Sequence, residues 1–113
     1  MRKLALSLTA AALLAATVPA VASPLSAEVL VKDDFFKPKL VTIKKGGTVV
    51  WRWKGSNPHN VAIKKPGSSK VVKRSSVKTS GKYDYKFRST GTWRIVCEIH
   101  PVNMRMKVVV KSS

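Results

Sequence analysis

From Glu28 onward, apolar side chains recur at every second position in short runs rich in β-branched and aromatic residues, and Gly, Pro, Ser and Asn interrupt the runs. Strands are predicted over Glu28 to Phe36 and Leu40 to Lys44. Lys45-Gly46-Gly47 then turns the chain into Thr48 to Trp53, where Val49, Trp51 and Trp53 fall on one face. Val61 to Lys64 follows the loop Gly55-Ser56-Asn57-Pro58, and the turn Pro66-Gly67-Ser68-Ser69 precedes a strand over Lys70 to Arg74. Lys82 to Phe87 aligns Tyr83, Tyr85 and Phe87. Thr92 to Cys97 aligns Trp93, Ile95 and Cys97, and the closing strand aligns Met106, Val108 and Val110. No segment keeps a helical period, and there is no room for crossover helices. Seven to eight strands in one small domain therefore argue for an all-β fold, an antiparallel Greek-key β-sandwich.

The first residues break this pattern. Arg2 and Lys3 precede an almost wholly apolar run from Leu4 to Ala16, and Pro19 stands before Ala20-Val21-Ala22, a small-x-small triplet suited to signal peptidase. Residues 1–22 are expected to be a cleaved export signal, with Ala27/Glu28 as the alternative cut, and residues 23–113 to form the domain. The apolar run is short of the roughly 20 residues a membrane span needs, which argues against an uncleaved anchor. A periplasmic or extracellular location follows.

That location changes the meaning of the charge. The chain carries 22 Lys and Arg against 5 Asp and Glu, and only Arg2 and Lys3 of the cations lie in the leader. In the cytosol such an excess would suggest nucleic acid; outside it, nucleic acid is not expected. The expected contacts are an acidic protein partner, anionic lipid head groups or acidic wall polymers, or simply solvent. A monomer is expected.

It also changes the meaning of Cys97, the single cysteine, because an oxidising compartment favours paired thiols. Cys97 must be buried, dimer-forming or a ligand. Cys97, His100 and Met104 fall within one short inter-strand loop, and the only other histidine, His59, sits in a second loop after Pro58. Alone, each residue has an ordinary reading: a packed thiol, surface histidines, a core-filling methionine. Together they are a soft thiolate, two imidazoles and a thioether, the donor set of a type 1 (blue) copper site for one ion cycling between Cu(I) and Cu(II). Met106 shares the face of Val108 and Val110 and is assigned to the core.

Several stretches carry a family likeness. Gly46-Gly47-Thr48-Val49-Val50-Trp51, Asn57-Pro58-His59-Asn60-Val61, Gly91 to Cys97 running on through His100-Pro101, and Met104-Arg105 with Lys107 to Val110 resemble the plastocyanin/azurin class of small cupredoxins, most closely its amicyanin-like bacterial members. Phe36-Lys37-Pro38 fits the opening of the same pattern, so the likeness spans nearly the whole domain. It implies that His59, Cys97 and His100 are the strong copper ligands, that Met104 is the axial one, and that Asn60 ties the two ligand loops together. It further implies a one-electron carrier rather than an enzyme, exchanging electrons with redox partner proteins through the edge of His100. Three residues separate His100 from Met104, between the two of amicyanins and the four of plastocyanins. Val96 occupies the place of the tyrosine that serves plant plastocyanins as a second electron route, and their acidic patches are missing.

Other chemistries fit less well. Copper delivery without electron transfer favours Met and His donors that release Cu(I), whereas a clamped thiolate holds it. A Cys–His nucleophile would need an orienting third group and an oxyanion site. Structural zinc seldom recruits a thioether, and a metal-free adhesion sandwich leaves the Cys97 to Met104 loop without a purpose.

Overall fold

The structure is a computed structural model and describes residues 21–113. The leader expected over residues 1–22 lies outside the described residues except for Val21 and Ala22. Nine strands follow in chain order: β1 (Ser26–Lys32), β2 (Phe35–Lys37), β3 (Leu40–Lys44), β4 (Thr48–Trp53), β5 (Ala62–Lys64), β6 (Val71–Arg74), β7 (Lys82–Lys86), β8 (Gly91–Val96) and β9 (Arg105–Lys111). The described residues contain no helix. The strands form a four-stranded sheet, β2-β1-β4-β7, and a five-stranded sheet, β3-β9-β8-β5-β6.

Alternation in the sequence becomes alternation in burial. Val29, Val31, Phe36, Val49 and Trp51 project from the four-stranded sheet into a core that Ile43, Ile63, Ile95, Met106 and Val108 enter from the other sheet. Aromatic rings fill one region, with Phe87 edge-on to Tyr85 at 4.8 Å and to Trp93 at 5.1 Å between centroids. The fully buried Trp51 sends its indole N–H to the Met106 sulfur at 3.3 Å, which gives the ring's one polar group a partner. Met106 is a core residue, as its face predicted.

Two features depart from the sequence reading. The predicted strand Glu28 to Phe36 is a hairpin: Asp33-Asp34 turns the chain, Asp34 takes a φ of 70°, and β2 folds back antiparallel on β1. Aspartate tolerates this left-handed conformation better than most residues, so one predicted strand becomes two and the total is nine. The sheets are also mixed rather than wholly antiparallel, since β1 pairs β4 and β3 pairs β9 in parallel. After β2 the chain crosses to the opposite sheet as β3, then returns beside β1 running in the same direction. Hydrophobic alternation marks which face of a strand is buried; it does not say which strand lies alongside.

The turn before β4 shows why two glycines are needed in succession. Gly46 has φ 87°, and a Cβ on Gly47 would press to 2.8 Å from the Lys44 carbonyl oxygen. β4 and β8 deliver the chain to one end of the sandwich, where the loop after β4 and the loop between β8 and β9 meet. Ile95 is fully buried on β8, two residues before Cys97. Ile95→Ala should lower stability by about 2–5 kcal/mol, measured by chemical denaturation of the metal-free protein.

Candidate metal centre

The loop that follows β4 is fixed before its histidine is reached. The Asp33 carboxylate accepts the backbone N–H groups of Ser56 and Asn57 at 3.0 and 2.9 Å. A Cβ at Gly55 would collide with that carboxylate, so the close approach needs glycine. His59 is then held by its own main chain. It exchanges two backbone hydrogen bonds with Lys78, at 3.0 and 2.9 Å, and its carbonyl also accepts the Trp53 indole N–H at 3.1 Å. The ring is fully buried.

The loop between β8 and β9 closes on itself. Cys97 N–H donates to the Met104 carbonyl at 3.0 Å, Met104 N–H to the His100 carbonyl at 3.0 Å, and His100 N–H to the Cys97 carbonyl at 3.2 Å. Arg105 adds a side-chain bond to the Pro101 carbonyl at 2.7 Å. Cys97 and Met104 are thus drawn together at the base of the loop, both fully buried, while His100 rises to a half-exposed position.

The two loops are joined by one side chain. Asn60 accepts the Glu98 backbone N–H at 2.8 Å through its amide oxygen and donates to the Glu98 carboxylate at 2.7 Å through its amide nitrogen. Arg74 grips the same carboxylate with two bonds of 2.9 Å. Arg74 and then Asn60 hold the Glu98 carboxyl below the usual carboxylate range.

These constraints bring His59, Cys97 and His100 together, with one donor atom from each within 4.8 Å of the others. His59 Nδ1 stands 3.8 Å from the Cys97 sulfur, and the imidazole centroids are 5.4 Å apart. His100 Nδ1 is buried with no hydrogen-bond partner. A buried nitrogen without a partner costs free energy that an ion at this point would recover. Thiol plus two imidazoles is also the donor chemistry that copper prefers. The residues fit one copper ion.

The sequence reading missed the acids behind the histidines. Asp33 Oδ1 lies 3.3 Å from His59 Nε2, and Asp34 Oδ1 lies 3.4 Å from His100 Nε2. With Nδ1 turned to the thiol, Nε2 of His59 carries the proton and donates it to Asp33, which sets tautomer and ring orientation together. The bonds from Ser56 and Asn57, with a smaller contribution from His59, hold the Asp33 carboxyl below its ordinary range. The tandem Asp33-Asp34 was visible as a turn signal inside an otherwise alternating run, but nothing local linked it to histidines about two dozen or more positions away.

Comparison with known proteins agrees with this geometry. Residues 27–111 match the family model described as copper binding proteins, plastocyanin/azurin family. The chain is 38% identical to amicyanin of Paracoccus versutus over 98 residues, covering 86% of this chain and 70% of that one. Among solved structures, a reduced amicyanin variant superposes with a TM-score of 0.65 at 30% identity, covering 76% of this chain and 82% of its own. A purple cupredoxin from Nitrosopumilus maritimus superposes with a TM-score of 0.66 at 24% identity, covering 75% of this chain and 99% of that one, and so shares the fold.

Glu98 offers a pH test of the loop tie. Its folded pKa is depressed, so its contribution to stability is complete above the ordinary carboxylate range and is lost as pH falls through the lowered folded value. Metal-free wild type should melt above Glu98→Gln at neutral pH, and the gap should close on acidification; a gap constant with pH would contradict the assignment.

Proposed function

The chain belongs to the plastocyanin/azurin family of copper-binding proteins, and on that premise we propose that it is an exported one-electron carrier, acting as a monomer between redox partner proteins. The observation that carries this reading is the convergence of two imidazoles and a fully buried thiol on one point. When bound, copper supplies the Cu(I)/Cu(II) couple; the chain supplies donors that hold still. His59 is fixed by Lys78, Trp53 and Asp33, and the cysteine loop by its own hydrogen bonds and by Asn60. A donor set that stays in place as the charge changes keeps reorganisation small, which is what an electron carrier requires and a substrate-transforming enzyme does not.

His59, Cys97 and His100 are the proposed strong ligands and Met104 the axial one, with Asn60 steadying the thiolate from outside. Burial of Met104 on the closing turn of the same loop supports that assignment. The half-exposed edge of His100 is the proposed electron port, and exposed Ile99 and Val102 beside it offer short apolar contacts to a partner. Export, to the periplasm or beyond, rests on the leader of residues 1–22. The excess of cations suits partners with an acidic docking surface.

Reconstitution with Cu(II) should give an intense band at roughly 600 nm from thiolate-to-copper charge transfer, and Cys97→Ser should abolish it. A pale spectrum in the wild type would move the reading to copper handling without electron transfer. The two methionines can be told apart by voltammetry. Met104→Leu should raise the reduction potential, because the three donors left suit Cu(I) better than Cu(II), which prefers a fuller coordination shell. Met106→Leu should leave the potential in place and change only stability.

A further inference from the structure

Charge is unevenly divided between the two faces of this sandwich. The strands of the five-stranded sheet carry eight Lys and Arg and no Asp or Glu. The five acids are Glu28, Asp33, Asp34, Asp84 and Glu98. Four belong to the strands or the hairpin turn of the other sheet, and Glu98 is taken up by Arg74 and Asn60. On the outer surface of the five-stranded sheet, Lys64 stands directly opposite Arg94, and Arg94 directly opposite Lys107. Like charges facing each other across neighbouring strands are destabilising, and no ion pair among the described residues relieves these three.

The same three cations, with Lys39 and Arg105, wall a groove of about 430 Å³. At its base lie the side chain of Val96, on the same side of β8 as Arg94, and the main chain of Ile95 and Met106, whose side chains point the other way into the core. A recess inside a cationic wall suits a protruding segment better than a flat layer of head groups, which would rest on the rim. The groove also runs up to the metal centre: Val96 precedes Cys97, Arg105 follows Met104, and Arg105 is bonded to Pro101 beside His100.

We propose that this groove seats an acidic segment of a protein partner, a run of Asp and Glu side chains, and so fixes the direction from which the partner meets His100. The inference rests on the electron-carrier reading for its purpose, though not for its binding chemistry. Asp34 lies against His100 from the four-stranded-sheet side, so carboxylates of the partner are repelled there and attracted on the side of Arg105. Docking in one orientation follows from this polarity across the port.

The test measures binding of a fluorescent oligo-glutamate peptide to the copper-loaded protein, alongside flotation with phosphatidylglycerol vesicles. Arg94→Gln with Lys107→Gln should weaken peptide binding about tenfold. Lys82→Gln with Lys86→Gln, which removes equal charge from exposed positions on β7, should change it by less than about twofold. Equal losses in the two double variants would overturn the proposal, since binding would then follow net charge alone. Peptide binding absent while vesicles capture the protein through Arg94 and Lys107 would overturn it in favour of a membrane seat. Each sample's blue band is recorded in parallel. Specific peptide binding without the band would defeat the carrier reading and leave the groove standing; the band without groove-specific binding would do the reverse.

Discussion

Two hydrogen bonds between Asn60 and the Glu98 residue lock together two loops that the pairing of β5 with β8, Ala62 opposite Val96, already brings side by side. One loop brings a buried imidazole, the other a thiol and a second imidazole. The geometry of the centre is therefore a property of the tie as much as of the ligands. It is reinforced from both sides, by Arg74 on the Glu98 carboxylate and by Ser75, whose hydroxyl accepts the Val61 N–H next to Asn60. Because the tie is made by an amide with one donor side and one acceptor side in use, neither aspartate nor leucine of similar size could replace it.

Much of this was legible in the chain. Donor types are scarce, with one cysteine and two histidines, so chemistry alone could nominate His59, Cys97 and His100. Faces were legible too, because a strand with one buried side must alternate; Trp51, Ile95 and Met106 all point inward as their positions require. What alternation cannot encode is neighbourhood. The parallel pairing of β1 with β4 depends on the route through the opposite sheet, and no property of either strand announces it. Asp33 illustrates the same limit at the scale of one side chain. Its run of apolar neighbours favoured an unbroken strand, while its actual role, holding Ser56, Asn57 and His59 at once, exists only after the hairpin has folded.

The distribution of acids has a physical logic. A chain this basic could have scattered its few carboxylates, yet Asp33, Asp34 and Glu98 all lie at the end that carries the histidines. Negative charge there favours the more highly charged state of a bound cation and orients the imidazoles, and the remaining cations are left facing solvent on the sheet surfaces. Local and long-range electrostatics are thereby separated: carboxylates act within hydrogen-bonding distance of the centre, while the wider field of the molecule stays positive.

The unequal burial of the two histidines has a consequence for metal exchange. His59 is sealed by Trp53, Lys78 and Asp33, whereas His100 borders solvent. On the proposed copper reading, the shortest route between the centre and solvent passes His100, and a rotation of its side chain would open that route without unfolding any strand. Uptake, loss and theft by a competing chelator would then share one motion, so the speed of exchange, though not the equilibrium occupancy, would be set by one imidazole.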